Sequence, residues 1–376
     1  MWGFNRGKAK TVYLVIILVV SILGCVLVNA TKFEVPYVAY DKQVEAAELM
    51  QACIYAIRDK KLDMGLVINP LDDPNETGLI GALRSPLITT KGLLEAKRTS
   101  TNPSFAALLV RYFTELDLKP QDVIAIGSSG SFPALALATL CAAEVMELKT
   151  IFIYSVGASN YGASIPEYTF IDMLRNLNQL GLLDAQIDAL SMGGNEDLFV
   201  GEIYELGREI ALEIIEKSGV DIFIYEDTLQ DSIKKRMEIY FEKAGDRPIE
   251  CFINAGGASA NMGTGSSSFS LNISNGLLKR GSVVVPKDDR RGAMMEFAAL
   301  GTPVIYLLEI NDLALKSNIM IDPSPFPVIG TEGVYKVTVY NKFLISLTLL
   351  IVAAILIYIS TSFAKSKRAK LSREQI

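Results

Sequence analysis

The chain of 376 residues contains no histidine, and its four cysteines show no spacing typical of a zinc site or a disulfide framework. The missing histidine excludes Ser-His-Asp and Cys-His mechanisms and the commonest zinc ligand sets. Cys25 lies in an apolar run, and Cys53, Cys141 and Cys251 are predicted to be small core residues. Any chemistry must therefore use carboxylates, hydroxyls, lysines, thiols, backbone amides or an oxygen-bound cation.

Two long runs carry no charge, Val12–Val28 and Phe343–Ile359, and each is about long enough to cross a bilayer as a helix. Basic residues precede the first run and follow the second, which predicts cytoplasmic tails at 1–11 and 361–376. We expect transmembrane helices at 12–28 and 343–360 in a cell (inner) membrane, with an extracytoplasmic domain at 31–341. The alternative for the first run is a cleaved signal peptide, with a lipoprotein-like site at Ile22–Cys25.

Residues 31–341 contain 27 basic and 41 acidic side chains, a net charge of −14. Such a field repels polyanions on average, so it argues against a nucleic-acid binder.

Short apolar runs alternate with helical patterns across this region, which predicts an α/β domain with a mostly parallel sheet flanked by helices. Residues 62–100 are expected to be irregular. The predicted strands are Val123–Ile126, Ile151–Val156, Val220–Tyr225, Glu250–Asn254, Val283–Val285 and Val304–Leu308. The predicted helices are Asp41–Lys61, Pro103–Leu118, Pro133–Leu148, Ile171–Leu180, Gly201–Lys217, Leu229–Lys243 and Gly292–Leu300.

Ligands of open parallel sheets bind beyond the carboxyl ends of the strands. Loops rich in glycine, serine and asparagine follow several predicted strands here. Their candidate ligand-binding residues are Gly127, Ser128, Ser129, Gly130, Ser131, Ser159, Asn160, Gly256 and Gly257.

The loop Gly127–Ser131 has three interpretations. As a nucleophile elbow it departs from G-x-S-x-G at Ser131, and Ser128 or Ser129 would need a lysine or carboxylate as base. As an anion site, its glycines and hydroxyls at a helix start would bind a carboxylate or a phosphorylated sugar. As a structural turn, Ser131 would cap the helix that begins at Pro133.

Two carboxylates, Glu167 and Asp172, form a candidate catalytic pair, with a capped helix as the structural alternative. Arg290 and Arg291 precede a predicted helix and would bind a ligand carboxylate, or else pair with Asp288 or Asp289. The loop Asn254–Gly276 is a mobile lid or an insertion without a role. No cofactor is predicted, although the carboxylates of Glu226 and Asp227 could bind a divalent cation.

Four blocks, "IGSSGSFPALALATLCAAE", "SVGASNYGASIPEYTFIDM", "RRGAMMEFAALGTPVIYLLEINDLAL" and "DPSPFPVIG", together resemble the poly-gamma-glutamate system protein family. The resemblance covers most of residues 40–330. It implies association with the synthesis and export of a γ-linked glutamate polymer, with the membrane subunits of its synthase and the anionic polymer as partners. The synthase itself, an ATP-dependent amide ligase, is a different protein, and the resemblance carries over no catalytic residues.

Three functions follow as hypotheses. The first is a membrane-anchored accessory protein whose outer domain binds the polymer or the synthase. The second is an extracytoplasmic hydrolase or transferase acting on the polymer, with Ser128, Ser129, Glu167 and Asp172 as the candidate reacting groups. The third is a membrane scaffold that binds no ligand.

Overall fold

The computed structural model describes residues 4–199, 206–263, 273–282, 285–286 and 291–373. The chain divides into two compact units, Val38–Tyr335 and a terminal unit formed by Met1–Tyr37 with Lys336–Ile376. The helices are α1 (Phe4–Ala30), α2 (Tyr40–Asp63), α3 (Leu94–Ser100), α4 (Ser104–Glu115), α5 (Pro133–Val145), α6 (Phe170–Gln179), α7 (Gly207–Lys217), α8 (Leu229–Ala244), α9 (Ser259–Met262), α10 (Ala293–Ala299), α11 (Ile310–Ser317) and α12 (Lys342–Arg373). The strands are β1 (Phe33–Pro36), β2 (Ile88–Thr90), β3 (Val123–Ser129), β4 (Lys149–Ser155), β5 (Ala158–Ser159), β6 (Ala189–Ser191), β7 (Phe223–Ile224), β8 (Ile249–Ala255), β9 (Gly276–Leu278), β10 (Val304–Leu307) and β11 (Lys336–Val339).

The larger unit is built on a seven-stranded sheet of order β7-β6-β4-β3-β8-β10-β9. Its neighbouring strands are parallel except for β9, which runs antiparallel to β10 at one edge. Apolar strands buried on both faces are typical of parallel sheets covered by helices. The structure thus confirms the predicted α/β class.

Side chains of β3 alternate between two buried layers. Ile124 and Ile126 belong to a core shared with α2, α4 and α5, whereas Val123 and Ala125 pack with residues of α8 and α10. Helix α5 is buried almost all round, which explains its Ala/Leu-rich sequence. The three cysteines outside α1, Cys53, Cys141 and Cys251, are buried core residues as predicted.

The chain leaves β3 toward β4 on one side and leaves β8 toward β10 on the other. This reversal opens a crevice between the carboxyl ends of β3 and β8, where ligands of doubly wound sheets bind. The loops after these two strands are Gly130–Phe132 and Gly256–Ala258. The topology therefore places two predicted candidate loops side by side.

Several elements differ from the sequence-based predictions. Residues 62–100 are not wholly irregular, since they contain β2 and α3, and the short central strand β6 was not predicted. Strand β3 continues through Gly127, Ser128 and Ser129, because these residues pair with β4 and β8. Most of the predicted strand Val283–Val285 and the start of the predicted helix Gly201–Lys217 lie outside the described residues.

In the terminal unit, α1 and α12 pack together, and β1 pairs antiparallel with β11. A Cβ atom at Gly24 would lie 2.3 Å from the Thr348 side chain, so glycine permits this close approach of the helices. Thr11–Ala30 and Lys342–Thr361 are long and apolar enough to cross a membrane. They match the two predicted hydrophobic segments.

Candidate functional site

The Gly127–Ser131 segment is mostly strand rather than loop, which changes its interpretation. The Ser128 hydroxyl is buried and donates to the carbonyl of Ala255 at 2.9 Å, so it ties β3 to β8. The Gly130 amide donates to the carbonyl of Ser155 at 2.9 Å. The segment therefore lacks the run of free amides that the anion-site interpretation requires.

The capping interpretation of Ser131 is also wrong. Helix α5 begins at Pro133 with Phe132 at its N-cap, and no side chain caps it. The glycines have packing roles instead, since a Cβ at Gly127 would lie 2.6 Å from the Asn261 amide and one at Gly130 would lie 2.7 Å from the carbonyl of Val156. Ser129, which is buried, and Ser131, which is partly exposed, are the residues of this segment that line a cavity.

Ser129 and Ser131 line a small cavity of about 80 Å³ at the carboxyl edge of the sheet, which we call the switch-point cavity. The loops that follow four strands, β3, β4, β6 and β8, contribute to it together with strand β2. Its lining residues are Thr89, Thr90, Ser129, Ser131, Gly157, Gly193, Gly194, Asn195, Gly257, Ala258 and Ser259. Hydroxyls and glycine backbone dominate this lining, so the cavity suits a small polar ligand.

Two glycines predicted from the sequence to bind ligand, Gly256 and Gly257, lie on the β8 side of this cavity. Gly256 has φ +111, a conformation that L side chains rarely adopt, and its amide donates to the carbonyl of Leu307 at 3.0 Å. This turn exposes Gly257, which lines the cavity. Gly256 shapes the site and Gly257 forms its surface.

Lys97 on α3 lies beside the cavity and is only 2% exposed. Its Nζ lies 2.7 Å from Ser159 Oγ, donates to the carbonyl of Ser131, and sits 3.5 Å from the centroid of the Phe132 ring. Within the described residues, no carboxylate forms an ion pair with Lys97. A buried amine with no counter-ion is rare unless a function requires it.

Burial lowers the pKa of the Lys97 amine well below its ordinary value. The Phe132 ring opposes this shift, because a cation over an aromatic face gains about 0.5–2 kcal/mol. Burial of an unpaired ion costs several kcal/mol, so desolvation outweighs the ring. Desolvation therefore makes the neutral form of Lys97, whose lone pair can accept a proton, more accessible than it is for an exposed lysine.

Ser159 and Asn160 follow β4, as the sequence predicted, and their side chains have different partners. Ser159 is 4% exposed and contacts Lys97, whereas Asn160 bonds to the segments before and after β2. Asn160 Oδ1 accepts from the Gly92 amide at 3.0 Å, and its Nδ2 donates to the carbonyl of Leu83 at 2.7 Å. Asn160 thus fixes the backbone around the serine.

A buried polar network lies near the Gly193–Asn195 wall of the cavity. Arg236 pairs with Asp197 at 2.7 Å and also donates to Ser155 and Ser191, all of them buried. Asp197 in turn accepts from the Gly193 amide at 3.1 Å. This network holds the ends of β4 and β6 together, and single-sequence periodicity offers no signal for it.

The predicted catalytic pair of Glu167 and Asp172 is not supported by the contacts. Asp172 accepts from the amide and hydroxyl of Thr169 at the start of α6 and pairs with Arg175 at 3.0 Å. These are the bonds of a capping box. Glu167 is exposed. The alternative of a capped helix is correct for Asp172.

Arg291 has an acidic partner other than the predicted Asp288 or Asp289. Its Nη1 lies 3.5 Å from Glu296 Oε2, and its Nε donates to the carbonyl of Pro286 at 2.5 Å. Arg290 lies outside the described residues, as does much of the loop proposed as a lid.

A second cavity, of about 580 Å³, lies at the amino ends of β3 and β4 and includes Glu144, Glu147 and Lys149. It is at the edge of the sheet opposite the candidate loops. In the part of the chain that the structure describes, no group of three or more cysteine, aspartate or glutamate side chains could hold a metal ion.

Comparisons of the chain with protein-family models, curated proteins and solved structures find no significant match. The functional argument therefore depends on the site and on the sequence.

The candidate functional residue that sequence reasoning missed is Lys97. It lies in a segment predicted to be irregular, and Ser159 is 62 residues away in the chain. The absence of histidine was the one available signal, because it already required a lysine or carboxylate as the base for a serine nucleophile.

Proposed function

We propose that this chain is a membrane-anchored accessory protein of the poly-γ-glutamate system, whose α/β domain binds a short stretch of γ-glutamyl chain in the switch-point cavity. The observation that carries the proposal is the cavity itself, a hydroxyl- and glycine-lined recess at the topological switch point. The resemblance of the four sequence blocks supplies the identity of the polymer.

The terminal unit supports the membrane part of the proposal. Helices α1 and α12 are long and apolar enough to span a membrane. The β1–β11 pair joins the C-terminal end of α1 to the N-terminal end of α12. Basic residues near the two chain termini favour the cytoplasmic side for both termini. Residues 31–341 would then lie on the opposite, extracytoplasmic side of the membrane. The helix pair is also the surface through which we expect contact with lipid and with the membrane subunits of the synthase.

The chemistry of the cavity suits a carboxylate. The hydroxyls of Ser129, Ser131 and Ser259 are donors for carboxylate oxygens, and the exposed Gly257 lets the ligand approach the backbone. The net charge of −14 disfavours a long polyanion-binding groove. A recess of about 80 Å³, which admits the carboxylate end of one glutamyl unit, avoids this repulsion.

The test is calorimetric binding of synthetic tri-γ-glutamate to the full-length protein in detergent micelles. Ser131→Leu fills the cavity and removes one donor, so we expect at least about a tenfold loss of affinity. Ser282→Leu, at an exposed serine outside the cavity lining, is the matched control and should bind as the wild type does. Equal binding by both variants, or no binding by the folded wild type, contradicts the proposal.

A further inference from the structure

The pair formed by Ser159 and Lys97 is more specific than a binding surface requires. Serine Oγ and lysine Nζ are 2.7 Å apart in a buried environment at the carboxyl edge of the sheet. We propose that Ser159 is a nucleophile and Lys97 its general base, so that the domain carries an acyl-transfer site of the Ser-Lys type.

The hydrogen-bond geometry around Nζ fits a base. A neutral amine has two N–H groups and one lone pair. In the structure Nζ donates to the carbonyl of Ser131 and to Ser159 Oγ. A neutral Nζ would keep one N–H on Ser131 and turn its lone pair to the hydroxyl proton of Ser159. Among the described residues no carboxylate pairs with Nζ, so the Phe132 ring and the Ser131 carbonyl are the partners that support its charged form against desolvation.

The surroundings of Ser159 lead toward the switch-point cavity. Ser159 pairs in register with Thr90, and both Thr90 and Ser131 line the cavity. A Cβ at Gly92 would lie 2.9 Å from Ser159 Oγ, so glycine at this position lets the backbone pack closely against the hydroxyl. A substrate bound in the cavity would therefore be next to the wall that contains the pair.

The reaction balances without a cofactor. Ser159 Oγ forms a bond to the carbonyl carbon of an amide while its proton moves to Lys97 Nζ. The C–N bond then breaks, and the leaving amine takes the proton from Lys97, which leaves an acyl ester on Ser159. Water, or a second amine, attacks this ester with Lys97 again as the base, releasing the acid or the transferred amide.

The choice of a γ-glutamyl amide as substrate rests on the proposed function, whereas the reactivity of the pair does not. The first probe is therefore independent of glutamate. Diisopropyl fluorophosphate, a small reagent, would form a P–O bond to an activated serine and lose fluoride. The labelled residue in the full-length protein would be identified by peptide mass spectrometry.

We expect the label on Ser159 in the wild type and its loss in Ser159→Ala. Lys97→Met and Lys97→Arg should each slow labelling about 100-fold or more, because neither side chain can take the proton at neutral pH. Lys61→Arg is the control at a second buried lysine of the same unit and should label at the wild-type rate. Thermal unfolding of each variant would show that the domain is folded.

The same proteins would then be given γ-glutamyl p-nitroanilide, whose cleavage releases a coloured amine. Cleavage that requires Ser159 and Lys97 supports the site and its substrate class. Labelling of Ser159 without binding of tri-γ-glutamate supports the Ser-Lys site and overturns the proposed function. No label on Ser159 in the folded wild type, labelling at Ser128, Ser129 or Ser131 instead, or a rate unchanged in Lys97→Arg overturns the Ser-Lys inference.

Discussion

Lys61 and Lys97 are both buried lysines of the same α/β unit, 1% and 2% exposed, yet their environments differ. Lys61 Nζ donates to the carbonyls of Gly78 and Ile80 at 3.0 and 3.1 Å, and the charge of Asp73 acts on it. Lys97 Nζ contacts one backbone carbonyl, one serine hydroxyl and one aromatic ring. Lys61 fastens a loop to α2, whereas Lys97 faces a nucleophile.

The pKa values follow this difference. Burial lowers the pKa of both amines, but Asp73 offsets part of the effect at Lys61, and no carboxylate does so at Lys97. The comparison shows that burial alone does not mark a functional lysine. The informative combination is burial, a missing counter-ion and a hydroxyl within hydrogen-bond distance.

The largest stability effect is expected at Lys61. Lys61→Met removes the donor to two buried carbonyls, and each unsatisfied group costs about 1–3 kcal/mol. We expect the free energy of unfolding to fall by about 2–4 kcal/mol, measured by denaturant titration of the full-length protein in micelles. A loss below about 0.5 kcal/mol would remove the structural role assigned to Lys61.

Lys97→Met should change the free energy of unfolding in the opposite direction to Lys61→Met. It replaces a buried amine without a counter-ion by an apolar side chain of similar length, so the free energy of unfolding should rise by up to about 1 kcal/mol. This gain would come with loss of serine reactivity. A destabilisation as large as that of Lys61→Met would mean that Lys97 is a second structural lysine.

The same variant gives a pH test. Between the lowered folded-state pKa of Lys97 and 10.5, the unfolded chain binds a proton that the folded chain does not. The stability of the wild type therefore rises with pH across this window, and Lys97→Met lacks that rise. Burial raises the pKa of Tyr154 and Tyr240, which lowers stability above their ordinary value of 10. Unfolding curves of both proteins should thus be compared below about pH 9.5; parallel curves would contradict a lowered pKa for Lys97.

The smallest expected effect is a shift in the pKa of Lys61 when its acidic neighbour is changed. Asp73→Asn removes the charge that supports the Lys61 ammonium while keeping oxygen and nitrogen atoms for local hydrogen bonds. The pKa of Lys61 should fall toward the pKa of Lys97. The pKa of Lys97 itself should not change. A ¹³C NMR titration of lysine side chains would measure both, and an unmoved Lys61 resonance would exclude the Asp73 contribution.

The sequence predicted the main sheet strands because β3, β4, β8 and β10 are short apolar runs followed by helices. It also placed Ser129, Ser131, Ser159 and Gly257 near the ligand edge. It missed β6, which has three residues, and α3, which has seven and no side-chain cap. Elements this short lack a detectable period, so tertiary contacts decide their structure.

The site was harder to predict than the fold for the same reason. Ser128 and Ser129 have adjacent positions in the sequence, yet one hydroxyl is bonded to Ala255 and the other lines the cavity. Strand β3 continues further than its apolar run, which decides these orientations. The contact between Lys97 and Ser159 depends on packing of α3 near β5, and no local pattern encodes it.

The most direct measurement is the protonation state of Lys97 and Lys61 in the wild-type protein. Uniform ¹³Cε-lysine labelling, with assignment by Lys97→Arg and Lys61→Arg, would allow both amines to be titrated in one sample. We expect Lys97 to lose its proton at a lower pH than Lys61, which leaves it able to act as a base toward Ser159. Lys97 that stays protonated to the same pH as Lys61, or to a higher one, would contradict the catalytic assignment.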